Sequence, residues 1–155
     1  MYKLTPLDYD FMKKARFVAT KSDCIRSGSR FGAIAVRDGE VIASGWNGYV
    51  GNMAPCGATG KCIRQELKIE SGTRREVAHC ICAEQRLICN AAREGTSLDG
   101  AVMYVTGLPC EVCVRLIIAC GISKVIYESK YLNEQSYKQA ELGGLKLIQI
   151  ATDAT

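Results

Sequence analysis

From Cys82 onward the chain alternates helical and extended patterns with almost no length to spare between them, and few folds accommodate that rhythm. "CAEQRLICNAAREG" has helical spacing and runs into Gly95, a natural C-terminal cap. "AVMYVT" follows as a buried strand, then "PCEVCVRLIIACG" as a helix with proline at its start and glycine at its end. "KVIYE" is a second strand, "EQSYKQAEL" a short helix and "LKLIQI" a closing strand. Strands joined through helices in this way form a layer with helices covering both sheet faces. Ahead of them, Thr5 and Pro6 open a helix predicted over Pro6 to Asp23, with Leu7, Phe11, Ala15 and Val18 at helical spacing. "FGAIAVRDGEVIASGW" is two β-branched runs joined at Asp-Gly, the signature of a hairpin. At 155 residues all of this fits one domain over residues 1–155, large enough to bury a core without staples.

One stretch breaks the rhythm. Residues 47–79 are glycine-rich and irregular and carry Cys56 and Cys62. That is long for a structureless loop, so the stretch is predicted to be an insertion holding local structure, a ligand lid or a metal. "MYKLTPLDYDFMKKARF" has acidic residues and no uninterrupted apolar run, which reads as neither a signal peptide nor a membrane span. A cytoplasmic, reducing setting is the default, and in it the nine cysteines read as thiols and metal ligands instead of a disulfide framework. The net charge of +4 suits anionic small molecules. Lys13-Lys14 and Arg74-Arg75 are too sparse to form a nucleic-acid track, so neither nucleic acid nor membrane is an expected partner.

The chemistry gathers around "HCICAE" and "PCEVC". Cys110 and Cys113, three apart at a helix start, place both sulfurs on one face, where the unpaired N–H groups favour thiolate. Cys82 stands at the start of another helix. Two helix starts therefore aim three thiolates at one point. Three protein ligands with an open fourth position describe a catalytic zinc; four would close a structural one. Cys-x-x-Cys alone fits a zinc knuckle or a redox pair equally well. Glu84, two residues after Cys82 and upstream of Pro-Cys-x-x-Cys, shifts the reading. Zinc deaminases combine this ligand set with a glutamate that moves protons and does not bind metal. A redox pair would leave Cys82 and Glu84 without a role.

The segment from Cys82 to Tyr127 resembles the core of the cytidine deaminase superfamily, with its nearest likeness to deoxycytidylate (dCMP) deaminases. "FGAIAVRDGEVIASGWNG", "CGISKVIY" followed by Tyr131, and "GLKLIQI" fall in the family's order, and the likeness covers about residues 20 to 150. It implies the three-layer α/β/α cytidine deaminase-like fold, with a mixed central sheet of about five strands and helices on both faces. It also implies Zn²⁺ on Cys82, Cys110 and Cys113, Glu84 as the acid–base group, and conversion of dCMP to dUMP with release of ammonia, supplying thymidylate synthesis. By the same resemblance Asn47 binds the sugar, Ala83 with Gly32 and Ala33 faces the base, and Ser29 and Arg30 are phosphate candidates. Asn-Gly is also a common turn pair, which leaves Asn47 a structural alternative.

Most dCMP deaminases carry His-Ala-Glu where this chain has Cys82-Ala83-Glu84, and Arg86-Leu87 and Trp46 replace their usual residues. Some relatives hold a second, structural zinc, for which Cys24, Cys56, Cys80 and either His79 or Cys62 lie in the corresponding regions. The family also implies a homo-oligomer, commonly a hexamer, with dCTP or dTTP as effectors and Mg²⁺ accompanying a triphosphate. Cytidine, deoxycytidine, dCTP, guanine or pterin-like rings are alternative substrates, and a non-catalytic zinc module is the alternative of a different class. Three thiolates on Zn²⁺ leave a net charge of −1, so a cation is expected nearby, with Arg86 or Arg115 as candidates. Cys89 and Cys120, among Leu87, Ile88, Leu116 and Ile117, are expected to be core thiols.

Overall fold

The computed structural model describes residues 1–26, 28–129 and 133–152. Its centre is a sheet of five strands, β1 (Gly32–Arg37), β2 (Glu40–Trp46), β5 (Val102–Gly107), β6 (Lys124–Ser129) and β7 (Lys146–Gln149), in the order β2-β1-β5-β6-β7. β1 runs antiparallel to both β2 and β5, while β5, β6 and β7 are parallel, so the sheet is mixed as expected. The hairpin turns at Asp38 and Gly39, with φ of 52° and 78°, the left-handed pair that a two-residue turn requires.

Side chains alternate across this sheet and build a core on each face. Ile34, Val36, Tyr104 and Ile126 face α1 (Pro6–Ala19), meeting Phe11, Met12, Ala15 and Val18. Ala33, Ala35, Met103, Val105, Val125 and Tyr127 face the other way. They meet Leu87 of α4 (Ala83–Glu94), Val114 and Ile117 of α5 (Glu111–Ala119) and Ala140 of α6 (Glu134–Leu142). α1 is held to the sheet by a buried carboxylate as well. Asp8 accepts from Tyr104 of β5 at 2.7 Å and from the Thr5 backbone N–H at 2.7 Å, which also caps the helix.

α1 ends at Ala19, four residues short of the expected Asp23. Ser22 and Asp23 are weak helix formers, and the Asp23 backbone is engaged elsewhere: a side chain on Gly57 would lie 3.2 Å from its carbonyl. The insertion does hold local structure. It contains β3 (Gly48–Tyr49), the one-turn helices α2 (Cys56–Thr59) and α3 (Ile63–Glu66) and a 3₁₀ turn at Arg75–Val77, and it returns through β4 (Cys80–Ile81), which pairs with β3. Among the described residues no helix is long and apolar enough to cross a membrane.

Candidate active site

β5 delivers the chain at the carboxyl end of the parallel strands, and Leu108-Pro109 turns it into α5. Cys110 is the N-cap of α5 and Cys113 lies in its first turn. Cys82 is the N-cap of α4, where its backbone N–H donates to Gln85 Oε1 at 2.9 Å. One glycine lets α4 close on the sheet. A Cβ on Gly45 of β2 would sit 2.4 Å from the Ala83 carbonyl and 2.3 Å from the Leu87 nitrogen, so the start of α4 rests directly on β2 backbone.

The sulfurs of Cys82, Cys110 and Cys113 all lie within 4.8 Å of one another, and those of Cys110 and Cys113 are 3.5 Å apart. Zinc–sulfur bonds of about 2.3 Å in a tetrahedron place sulfurs roughly 3.8 Å apart, so the donor set fits Zn²⁺. No fourth histidine, cysteine or carboxylate joins the group among the described residues. All nine cysteines are free thiols. The sulfur–sulfur hydrogen bonds of the trio lower the pKa of the Cys110 thiol and raise those of Cys82 and Cys113.

Glu84 lies in the first turn of α4 and is only 6% exposed. Burial pushes its carboxyl up to about 7, with the Cys110 charge adding to the rise; its own backbone N–H, Arg75 and the Cys113 thiol act in the opposite direction. A carboxyl balanced near neutrality is suited to take up and return a proton.

The expected neighbouring cation is a different arginine. Arg86 donates to the backbone carbonyls of Trp46, at 2.8 Å, and Tyr49, and lies over the Trp46 ring, while Arg115 is exposed on α5. The arginine whose charge acts on the site is Arg75, in the 3₁₀ turn of the insertion, which lowers the pKa of both Cys110 and Glu84. Sequence reasoning passed over Arg75 as part of a sparse basic pair. The need for a cation beside three sulfurs was the signal, but the insertion has no periodicity from which to place it.

Ala83 and Ala33 are buried in the same core cluster as Cys110 and Cys113. Gly32 points to the opposite face, where a Cβ would meet the Ala15 carbonyl at 2.3 Å, so only its backbone is available to a ligand. The Asn47 side chain clasps the loop before β1: Oδ1 accepts from the Phe31 N–H at 2.7 Å and Nδ2 donates to the Ser29 carbonyl at 2.6 Å. Arg30 and Arg26 line a cavity of about 500 Å³ at the carboxyl end of β5 and β6, together with Arg16, Phe31, Thr106 and Ser129. Tyr131 lies outside the described residues.

Four further thiols gather along the insertion. Burial raises the Cys56 thiol to about 11, and Cys62, Cys80, Asp23 and Cys24 add to the rise. Burial likewise raises Cys80, with Cys24 and Cys62 next in effect. His79 is exposed, and Cys62, Cys24 and Asp23 act on both thiols. Asp23 Oδ2 is buried beside them with no hydrogen-bond partner. These sulfurs do not close to within 4.8 Å as the first three do. Cys89 is exposed, not in the core, because α4 turns Ala83, Leu87 and Ala91 inward and position 89 to the opposite side. Cys120 is half-buried and donates to the Ile117 carbonyl at 3.3 Å.

Residues 6–129 match the family described as the cytidine and deoxycytidylate deaminase zinc-binding region. The chain is 32% identical to the deoxycytidylate deaminase of Saccharomyces cerevisiae over 147 residues, 93% of this chain and 45% of that one. It is 34% identical to the deoxycytidylate deaminase of Mycobacterium phage D29, over 77% of this chain and 94% of that one. The chain spans less than half the length of the S. cerevisiae and Schizosaccharomyces pombe relatives. Among solved structures, the dCMP deaminase of cyanophage S-TIM5 in complex with dCMP and dUMP superposes with a TM-score of 0.76 at 25% identity, covering 96% of this chain and all of that one.

Proposed function

This chain belongs to the cytidine and deoxycytidylate deaminase family, and from that membership we propose that it converts dCMP and water to dUMP and ammonia. The observation that carries the proposal is the convergence of three sulfurs, with no fourth protein ligand among the described residues, beside a buried glutamate whose carboxyl is raised to about 7. Cys82, Cys110 and Cys113 would hold Zn²⁺. Bound zinc supplies a Lewis acid that brings water within reach of deprotonation at neutral pH. Glu84 takes the proton from the attacking water and delivers it to N3 of the cytosine ring. With the water oxygen bonded to C4, it then carries the remaining hydroxyl proton to the departing amine, so that ammonia leaves as the C4–N bond breaks and the C4 carbonyl forms. The start of α4 presents the Ala83 N–H toward the ring, and the Asn47 clasp holds the loop of Ser29 and Arg30. Arg26 and Arg30 of the neighbouring cavity support a 5′-phosphate there, while Arg16 is paired with Glu128 in the same lining.

Several finer points belong to the same reading. A second zinc on Cys24, Cys56, Cys62 and Cys80 is supported by the mutual effect of those thiols and by the buried Asp23 oxygen. A homo-oligomer is supported by exposed Leu7 and Phe17 on α1 and Leu142 on α6. Regulation by dCTP or dTTP, with Mg²⁺ on the triphosphate, is carried over from the family. Residues 1–155 act as one domain with its insertion at 47–79, and nine free thiols support a cytoplasmic setting.

Ammonia release from dCMP, CMP, deoxycytidine and dCTP tests the proposal; dCMP is expected to have the highest kcat/KM. Glu84→Gln is expected to keep its zinc and lose turnover by at least ~10²-fold. A variant that turns over dCMP at the unaltered rate removes Glu84 from the mechanism.

A further inference from the structure

The cavity of about 500 Å³ does not belong to one face of the sheet. Arg16 comes from α1, and Thr106 and Glu128 lie two residues beyond Tyr104 and Ile126, which pack on that same side. Phe31 and Ser129 lie two residues from Ala33 and Tyr127, on the face that carries Cys110 and Cys113, and Phe31 packs against that cluster. The cavity therefore bends around the carboxyl end of β5 and β6, and Phe31 stands where it reaches the face of the sulfur trio.

That ring is seated with unusual care. A Cβ on Gly107 would lie 2.6 and 2.8 Å from Phe31 Cε1 and Cδ1, so the absence of a side chain at 107 is what admits the ring. Gly107 is three residues ahead of Cys110. Both backbone groups of Phe31 are pinned by Asn47: its N–H donates to Asn47 Oδ1 at 2.7 Å, and its carbonyl accepts from the Asn47 N–H at 3.2 Å. The next residue is fixed too, the Gly32 N–H donating to Thr106 Oγ1 at 3.2 Å. An aromatic side chain with a held backbone and its Cδ1–Cε1 edge seated on a glycine is a rigid platform.

We propose that Phe31 is a specificity-determining residue. Its ring is the partition between the deamination centre and the arginine-lined cavity, the sugar of the nucleotide packs on it, and it sets the span from base to phosphate. The inference rests on the reading of the chain as a cytosine nucleotide deaminase. A residue that sets this span matters most to substrates that use both ends. Phe31→Ala is therefore expected to raise KM for dCMP about tenfold with kcat little changed, and to weaken dUMP binding by a similar factor in calorimetry. Deoxycytidine, which has no phosphate to place, is affected less, so the preference for dCMP over deoxycytidine narrows.

Gly107→Ala, which pushes the full ring into the cavity, acts in the same direction. The double variant Phe31→Ala/Gly107→Ala is expected to be no worse than Phe31→Ala, because the clash has gone with the ring. Phe31→Leu, which keeps part of the bulk, gives an intermediate KM and supplies a folded variant should the alanine variant fail to fold. An unaltered dCMP-to-deoxycytidine ratio and dUMP affinity in the folded variants would overturn the inference while leaving the deaminase reading intact. Absence of ammonia release from every cytosine nucleotide with the natural sequence would overturn both.

Discussion

Seven of the nine cysteines fall into two groups, and they are held in different ways. Cys82, Cys110 and Cys113 stand on the first turns of two long helices braced against the sheet, and the last two are 4% and 0% exposed. Cys24, Cys56, Cys62 and Cys80 come from a loop, two one-turn helices or their edges and a two-residue strand, and Cys80 is exposed. Backbone packing of the helices fixes the first group, whereas the second hangs on short elements with little packing of their own. Preorganisation here follows from the length and burial of the elements that carry the sulfurs, and the number of sulfurs has little to do with it.

The most damaging way to probe this contrast is Cys113→Ser. It is expected to remove one zinc per chain, measured by atomic absorption, and to bring ammonia release to background. Gly45→Ala comes next. Its Cβ would overlap Ala83 and Leu87 backbone, lifting α4 from β2 at a cost of about 3 kcal/mol, or a Tm loss of roughly 10 °C by calorimetry. The second zinc proposed for the insertion should survive this change while the catalytic one weakens; loss of both together would mean the two groups are not independent.

Arg75→Gln tests the link between the groups, since the insertion supplies the cation that acts on Cys110 and Glu84. Turnover should fall about tenfold with zinc retained. Cys62→Ser is milder: on the proposal of a second zinc, one zinc per chain is lost and Tm falls by about 3 °C, with kcat within about twofold. Asp8 provides the smallest effect and a control distant from the sulfurs. Burial alone would raise its carboxyl, but the hydrogen bonds from Tyr104, Thr5 and Tyr2 outweigh it and hold the pKa below 3.8. That contribution is present above pH 3.8 and is lost as pH falls through the lower, folded value. Asp8→Asn should therefore flatten the acid limb of Tm against pH, by about 1 kcal/mol at neutrality.

How much of this was legible in the sequence differs along the chain. From Cys82 to Gln149 helix and strand periods are regular, and the observed elements lie where the pattern sets them; Glu134–Leu142 coincides with "EQSYKQAEL". The motif spacing sufficed to bring Cys82, Cys110 and Cys113 together, because each helix start fixes its sulfur locally. The long-range contacts were harder to read. Asp23 leaves α1 because the insertion packs on it, Cys89 faces outward because Leu87 claims the inner side, and Arg75 reaches the site from a stretch without period. Gly45 in "VIASGW" and Gly107 in "YVTGLP" were available hints, since a glycine inside a strand pattern marks a close approach.

The contact at Gly45 also bears on how this scaffold tolerates change. β2 leads into the insertion and α4 leads out of it, and their backbones touch where residue 45 lacks a side chain. The two ends of the excursion are thus clamped together by the body of the molecule, whatever the excursion contains. Closing a loop grows only slowly more costly with its length. Shorter or longer excursions can be grafted at this junction with the sulfur spacing unaltered, which makes the junction a natural place to exchange cassettes between relatives.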